Sequence, residues 1–243
     1  MSKGFLLLLI VATLSAQHHE GPTAANDPAA MAAAAEAARR EMGGQVISFV
    51  QADRLEYQTN GNSGRFLWEG QAWIGTDFNR LWIKTEGERV NEGGKTEDAE
   101  IQALYSRPIS SYFDVQAGVR QDFTPGQRRT FGVIGVQGLA PYWFEIDTAL
   151  FISHEGDLSA RFETEYDLRF TQRLILQPRV EANIAFQDVP RLSVDRGLAA
   201  FEGGARLRYE FRREVAPYIG VSWEYVAGEP NRLSFVTGLR LWF

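Results

Sequence analysis

The last segment of the chain alternates apolar and polar side chains and ends on phenylalanine. From Leu233 to Phe243 every second residue is apolar apart from one threonine, and the intervening positions include Ser234, Gly238 and Arg240. A period of two separates these sets onto opposite faces only when the segment is extended. A strand with one apolar and one polar face suits a membrane-spanning barrel, whose outer face contacts lipid while its inner face lines a polar lumen.

The same alternation recurs in the middle of the chain. Between Leu158 and Phe170 one parity is mostly apolar or aromatic and the other is mostly charged, and the segments 174–184 and 205–212 repeat this order. A soluble antiparallel sandwich with one wet face would also alternate. Further features of the chain favour the membrane.

The amino terminus has the layout of a secretory signal peptide. Residues 1–16 carry Lys3, a mostly apolar run from Phe5 to Leu14, and then the small residues Ser15 and Ala16. This run is too short for a spanning helix, which needs about 20 residues. A closed barrel is the other structure that satisfies every backbone group in lipid. We therefore predict a signal peptide over residues 1–16 and membrane residence through strands.

Residues 45–243 are predicted to form an all-β, antiparallel transmembrane β-barrel of about 12 strands, each of roughly ten residues. An even number places both termini on the periplasmic side. The odd-numbered connections should then be extracellular and longer, and we expect them at 59–64, 90–97, 124–129, 153–156, 188–197 and 228–231. The even-numbered connections should be short turns, at 76–79, 108–111, 139–141, 170–172 and 213–216.

Tryptophans near strand ends suggest the aromatic girdles that barrels place at the two membrane interfaces. The candidates are Trp68, Trp73, Trp82, Trp143, Trp223 and Trp242. The net charge of −6 argues against nucleic acid as a partner, because nucleic-acid binding requires basic patches. The absence of cysteine excludes disulfides and thiolate metal sites.

Residues 17–44 differ in composition and predict a short Ala-rich helix. Asp27 and Pro28 form a helix start, and Gly43–Gly44 form a stop. Met31 and Met42 share one face of this helix. They either pack a small apolar stripe on the periplasmic rim of the barrel or offer thioether sulfurs to Cu(I), which selects soft ligands.

The chain has three histidines, His18, His19 and His154. Signal cleavage after Ser15 or Ala16 would leave a histidine at the third position of the mature chain. A terminal amine, two deprotonated amides and an imidazole can form the square-planar nitrogen site that suits Cu(II) or Ni(II). The alternative is a simple linker, whose terminal glutamine can cyclise and lose the amine.

Long blocks of the chain resemble the copper resistance protein B family of outer-membrane proteins. They are DRLEY from Asp53, WEGQAWIGTDFNRLWIKTEGE from Trp68, AEIQALYSRPIS from Ala99, YFDVQAGVRQDF from Tyr112, GLAPYWFEIDTALFIS from Gly138 and GDLSARFETEYDLRFTQRLILQPRVEAN from Gly156. The resemblance implies an outer-membrane barrel that binds copper, as Cu+ or Cu2+, and acts in copper tolerance beside a periplasmic multicopper oxidase. Relatives carry a long Met- and His-rich amino-terminal region, which here is reduced to His18, His19, Met31 and Met42.

The predicted lumen face collects charges of both signs. Carboxylates and arginines that cross a narrow lumen would pair with one another and fill it, because buried charges must be paired. The alternative is a polar path for cations. The predicted members are Arg54, Glu56, Glu69, Lys84, Glu86, Glu88, Glu100, Asp114, Arg120, Glu145, Asp147, Arg161, Glu163, Glu165, Asp167, Arg169, Arg179, Glu181, Arg206, Arg208, Glu210 and Arg212.

An outer-membrane hydrolase is the rival from another functional class, since Ser153 and His154 are adjacent. Neighbouring residues of a strand point to opposite faces, so they form a nucleophile and base only if the chain bends sharply there. We therefore expect no enzyme.

The sequence thus predicts an outer-membrane copper-binding protein that acts in copper resistance by sequestration or export. Its expected partners are copper, outer-membrane lipid and a periplasmic multicopper oxidase. The alternative function is a passive porin for small solutes or ions. The candidate copper ligands are His18, His19, Met31, Met42 and His154.

Overall fold

A computed structural model describes residues 28–42, 45–61, 63–90, 96–124, 127–190 and 194–243. The predicted signal peptide, His18 and His19 lie outside these residues. The chain divides into two units, Met1–Met42 and Gly43–Phe243, which are described separately.

The first unit contributes one helix, α1, over Pro28–Met42. Its bounds match the predicted start and stop, because proline suits the first turn of a helix and the following Gly43–Gly44 favours termination. Met31 is 59% exposed, and the side chain of Met42 is not among those that the structure describes. No helix within the described ranges has the length and apolar character needed to cross a membrane.

The second unit is a single antiparallel sheet of thirteen strand segments. β8 and β9 both pair with β10 and together form one barrel strand, so the barrel has twelve strands and confirms the predicted number. The segments are β1 (Ile47–Thr59), β2 (Gly64–Gly75), β3 (Arg80–Val90), β4 (Thr96–Pro108), β5 (Phe113–Thr124), β6 (Gln127–Ala140), β7 (Phe144–Ser153), β8 (Leu158–Glu165), β9 (Leu168–Arg169), β10 (Leu174–Ala185), β11 (Gly197–Tyr209), β12 (Val215–Val226) and β13 (Arg232–Trp242).

The first and last strands close the barrel. β1 pairs antiparallel with β13 from Gln51↔Trp242 to Thr59↔Phe235, with one irregularity in register between Ala52 and Leu55. Beyond this ladder, the Val50 and Phe243 backbones exchange two hydrogen bonds, of 2.9 and 2.8 Å. Closure leaves neither terminal strand as an unpaired edge.

The even strand number places the chain entry at Ile47 and its exit at Phe243 on one rim, here called the terminal rim. The turns 76–79, 109–112, 141–143, 170–173 and 210–214 lie on it, and the other connections form the far rim. The expectation of generally longer connections at the far rim is wrong: only 186–196 is clearly longer. The strands extend further than predicted, so β5 ends at Thr124 and β6 already begins at Gln127.

Side-chain exposure follows the predicted two faces. In β13, Leu233 and Phe235 are 63% and 70% exposed, whereas Ser234 and Val236 are each 3% exposed. Large apolar side chains on the outward parity of the other strands are likewise exposed, among them Ile74, Leu81, Tyr105, Val119, Ile134, Ile152 and Ile219. This exterior presents the apolar band that a membrane-spanning barrel requires.

Three of the six tryptophans do not belong to an exterior girdle, which corrects that expectation. Trp82 is 6% exposed and shares the inward parity of Lys84, and it stacks at 6.0 Å between ring centroids with Trp73. Trp242 lines an interior cavity with Arg240. The face of a strand decides the environment of a ring, and proximity to a strand end does not.

Candidate functional site in the barrel interior

The strand register sets carboxylates beside carboxylates across the inner wall. One acidic row runs through Asp147, Glu163, Glu181, Glu202 and Glu224, each directly opposite the next on the neighbouring strand. A second acidic row runs through Glu69, Glu86, Glu100 and Asp122. Like charges directly opposite one another are destabilising, so both rows require cations.

Arg179 of β10 supplies a cation to both acidic rows. Its side chain is 4% exposed, and its Nε lies 2.8 Å from Glu163 while its Nη2 lies 2.9 Å from Glu181. The same guanidinium is 3.4 Å from Glu69 on β2 and 3.5 Å from Glu202. Because β2 and β10 are not neighbours in the sheet, Arg179 ties opposite walls together across the lumen.

A second set of contacts joins β1 to β11. Arg54 Nε is 2.6 Å from Glu69, and its Nη1 is 3.1 Å from Glu202. Arg206 makes two parallel hydrogen bonds to Glu56, of 2.7 and 3.1 Å, and a third of 2.9 Å to Glu202. Glu56 is 0% exposed, so this paired fork satisfies a fully buried carboxylate.

Arg161 of β8 and Arg120 of β5 supply cations to the second acidic row. Arg161 Nη2 lies 2.8 Å from Glu86 and 3.1 Å from Glu100. Arg120 on β5 contacts Glu100 at 2.5 Å and Asp122 at 2.6 Å. The Arg161 contacts again join strands that are separated in the sheet order, whereas the Arg120 contacts lie on the neighbouring β4 and on its own strand.

An apolar cluster lies beside Arg120 and Arg161 in the interior. It comprises the buried Trp82, Leu104, Phe131, Val133 and Phe151. The Arg120 and Arg161 guanidinium carbons lie 4.8 and 5.7 Å from the Phe151 ring centroid, so the cluster and the ion pairs share a boundary. Lumen-facing charges therefore pair with one another across the interior, as the sequence predicts.

Sequence reasoning missed several ion-paired residues, among them Arg65, Asp122, Glu202 and Glu224. Their parity was available, since each stands an even number of residues from an inward neighbour on its own strand. Their partners were not available, because alternation gives the face of a residue and not the strand that it meets across a barrel.

Of the candidate copper ligands, Met31 and His154 have described side chains, and they belong to different units. No three His, Cys, Asp or Glu side chains in the described ranges are grouped in a way that could hold a metal ion. His154 is exposed in the far-rim turn after β7, where its backbone N–H donates to the Thr130 carbonyl at 2.9 Å. Met31 is exposed on α1.

Ser153 has a structural role in the turn that carries His154. Its side chain is buried, its hydroxyl lies 3.2 Å from a carboxylate oxygen of Asp157, and it accepts the amide N–H groups of Glu155 and Asp157 at 3.2 and 3.0 Å. His154 is exposed. The two side chains thus differ in face as the alternation predicts, and the geometry offers no nucleophile and base pair.

Comparison with known proteins covers the whole barrel. The family model described as copper resistance protein B precursor (CopB) matches residues 46–243. Copper resistance protein B of Escherichia coli is 44% identical over 205 residues, which cover 80% of this chain and 69% of that protein. A copper resistance protein B homolog of Pseudomonas syringae pv. tomato (strain ATCC BAA-871 / DC3000) is 41% identical over 209 residues, covering 82% and 70%.

Solved structures share the architecture at low identity. The NanC porin superposes with a TM-score of 0.54 at 13% identity, covering 80% of this chain and 99% of that chain. The KdgM porin gives 0.51 at 10% identity, covering 80% and 98%. These likenesses concern the barrel fold alone. The match along 46–243, together with relatives more than 40% identical, shows that the chain belongs to the copper resistance protein B family.

Proposed function

We propose that this protein is an outer-membrane copper-binding protein that contributes to copper resistance by sequestering copper on the periplasmic side. Family membership supports the copper role. The single observation that favours sequestration over passage is the interior network, in which Arg179 joins opposite walls of the barrel. Export through the lumen would require these buried ion pairs to separate.

The ligand chemistry of the barrel supports the same proposal. Between residues 45 and 243 the sequence contains no cysteine, no methionine and one histidine, His154. The interior offers carboxylate oxygens, which select copper poorly and are already paired with arginines. The nitrogen and sulfur ligands of the mature chain are concentrated before the barrel, within residues 17–44.

We assign copper binding to that amino-terminal segment, with His18 and His19 as the nitrogen ligands for Cu(II). Met31 and Met42 are thioether candidates for Cu(I), and the exposure of Met31 supports its availability. Residues 31 and 42 are separated along α1 by about 16 Å at 1.5 Å per residue, too far to share one ion. Each methionine would therefore complete a site with another ligand.

Location follows from the signal peptide and the even strand number. Secretion followed by folding into the outer membrane supports a periplasmic location for the terminal rim, and we propose the same for the segment 17–44. His154 then lies on the extracellular rim, where it is the alternative copper ligand. A periplasmic multicopper oxidase is the proposed partner, positioned to receive copper from the amino-terminal segment.

A passive porin is the second candidate, and the porin-like fold is what favours it. The packed interior argues against free passage of solutes. Conductance of the unmodified protein in a planar bilayer would decide between a closed barrel and an open pore.

Copper tolerance of a host that lacks this protein tests the proposal. The variant H18A/H19A/M31L/M42L should give no more tolerance than an empty vector, whereas H154A should match the unmodified protein. Heat-dependent migration in gels would show that both variants fold in the membrane. Full tolerance with the fourfold variant, or loss of tolerance with H154A, would move the site away from the amino-terminal segment.

A further inference from the structure

A cavity of about 990 Å3 opens at the terminal rim. It is lined by the ends of β1 and β13 and by the turns 170–173 and 210–214. Cationic side chains outnumber anionic ones in this lining: the carboxylates are Glu145, Asp167 and Glu210, and the arginines are Arg169, Arg173, Arg208, Arg212, Arg213 and Arg240. We call this cavity the arginine vestibule.

The arginines of the vestibule are only partly neutralised. Arg208 contacts Asp167 at 2.7 Å, and Arg240 lies 3.6 Å from Asp53. Within the described residues the other four, Arg169, Arg173, Arg212 and Arg213, are exposed and make no ion pair. This differs from the two acidic rows, where Arg54, Arg161 and Arg179 each contact more than one carboxylate.

One donor of Arg208, a residue of the cavity lining, has no hydrogen-bond partner among the described residues. The Arg208 side chain is 4% exposed, yet its buried Nε has no hydrogen-bond partner among the described residues. A buried donor without a partner costs free energy, so this N–H favours an acceptor. Arg208 is thus a cation of the cavity lining whose hydrogen bonds are incompletely met by the described residues.

Hydrogen bonds fix the two turns that carry the exposed arginines. The Glu210 N–H donates to the Arg173 carbonyl at 2.8 Å and ties one turn to the other. The Thr171 hydroxyl accepts the N–H groups of Arg173 and Leu174 at 3.2 and 2.9 Å. The Trp242 indole donates to the Arg213 carbonyl. Fixed turns lower the entropic cost of ligand binding.

We propose that the arginine vestibule is a binding site for carboxylate-bearing anions. The planar guanidinium presents paired N–H groups that match both oxygens of a carboxylate, and several unpaired guanidinium groups around one cavity suit a ligand with more than one carboxylate. This inference goes beyond the copper function, since it involves no metal ligand.

Strand parity separates this site from the lipid headgroups at the same rim. Arg169 pairs with the buried Ile175 and so has the inward parity of β9, and Arg173 and Arg212 lie in turns that line the same cavity. Arg107, exposed at the terminal end of β4, has the outward parity of Tyr105. A soluble anion is therefore the expected occupant. It is either a free polycarboxylate or the acidic side chains of a polypeptide.

The test is calorimetric titration of the full mature protein in a zwitterionic detergent, with no metal present. One arm uses citrate and the other a hexaglutamate peptide, at low and high salt. The variant R173Q/R212Q should bind whichever probe the unmodified protein binds at least about tenfold more weakly, because it loses charge-assisted hydrogen bonds to the carboxylates. The control R107Q should change the affinity less than twofold.

The two arms distinguish the sources of carboxylate. Tight citrate binding that R173Q/R212Q weakens indicates a small-molecule site, and binding of the peptide alone indicates an acidic polypeptide. R173K/R212K keeps the positive charges but loses the paired N–H groups of the guanidinium, so it should show an intermediate affinity. It also keeps the proposal testable if the glutamine variant fails to fold. Binding of neither probe, or equal binding to R173Q/R212Q and R107Q, would overturn the proposal. The copper proposal would stand in either case.

Discussion

Replacing Arg179 by glutamine tests whether the interior network holds the barrel closed. Arg179 is 4% exposed and contacts four carboxylates. One lies on its own strand, one on each neighbouring strand and one, Glu69, across the lumen. Glutamine removes the charge while keeping much of the side-chain length. Among the described residues, Arg54 and Arg161 would then be the cations that still contact both acidic rows.

The expected loss of stability follows from burial. Removing one partner of a buried ion pair costs about 3–5 kcal/mol, because the charge left behind is not compensated. Arg54 still contacts Glu69 and Glu202, so the loss should fall within this range and not multiply with the number of contacts. Glu163 loses its 2.8 Å contact to Arg179 and is the carboxylate most affected.

Urea unfolding of the barrel in lipid vesicles measures this loss. The matched control is R128Q, since Arg128 is exposed at the far rim and its replacement should change the unfolding free energy by less than about 0.5 kcal/mol. In planar bilayers R179Q should also raise cation conductance above that of the unmodified protein. A loss below about 1 kcal/mol, with unchanged conductance, would refute the view that Arg179 closes the interior.

Three further outcomes are expected. E56Q should destabilise the barrel by about 3–5 kcal/mol in the same urea assay, because it leaves Arg206 with half of its fork unmet; the variant E229Q in an exposed far-rim turn is the control. G118V should cost at least about 1–3 kcal/mol, since a Cβ there would lie 2.0 Å from a backbone oxygen of β4; stability equal to the unmodified protein would contradict this. Deleting Phe243 removes two backbone hydrogen bonds to Val50, so the rate of barrel closure, followed by heat-dependent gel migration, should fall; an unchanged rate would show that closure does not depend on this end.

Alternation predicted the two faces of each strand, and the signal-peptide layout favoured a membrane barrel over a soluble sandwich. The charged parity of 159–169 is inward and the apolar parity of 233–243 is outward, as expected, because a one-residue shift would move every side chain to the wrong face. The helix bounds of α1 also followed from proline and glycine at its ends. Local patterns of this kind act within a few residues and can be read directly.

Features that depend on closure could not be predicted. The contact of Arg179 with Glu69 joins residues 110 positions apart, and no local rule selects that pair. The same holds for Trp82, whose ring packs inside because the neighbouring strands leave apolar space there. The arginine vestibule arises from two turns that the sequence places far apart and that the β10–β11 pairing brings together.

The central claim is tested most directly by the copper stoichiometry and affinity of the detergent-folded mature protein. A chain that starts at Gln45 is measured beside it. The barrel forms a unit of its own from residue 43 onward, so the shorter chain retains the complete fold. The mature protein should bind copper and the shorter chain should not. Equal binding by both would place the ligands in the barrel, at His154 or in the lumen, and contradict the assignment to residues 17–44.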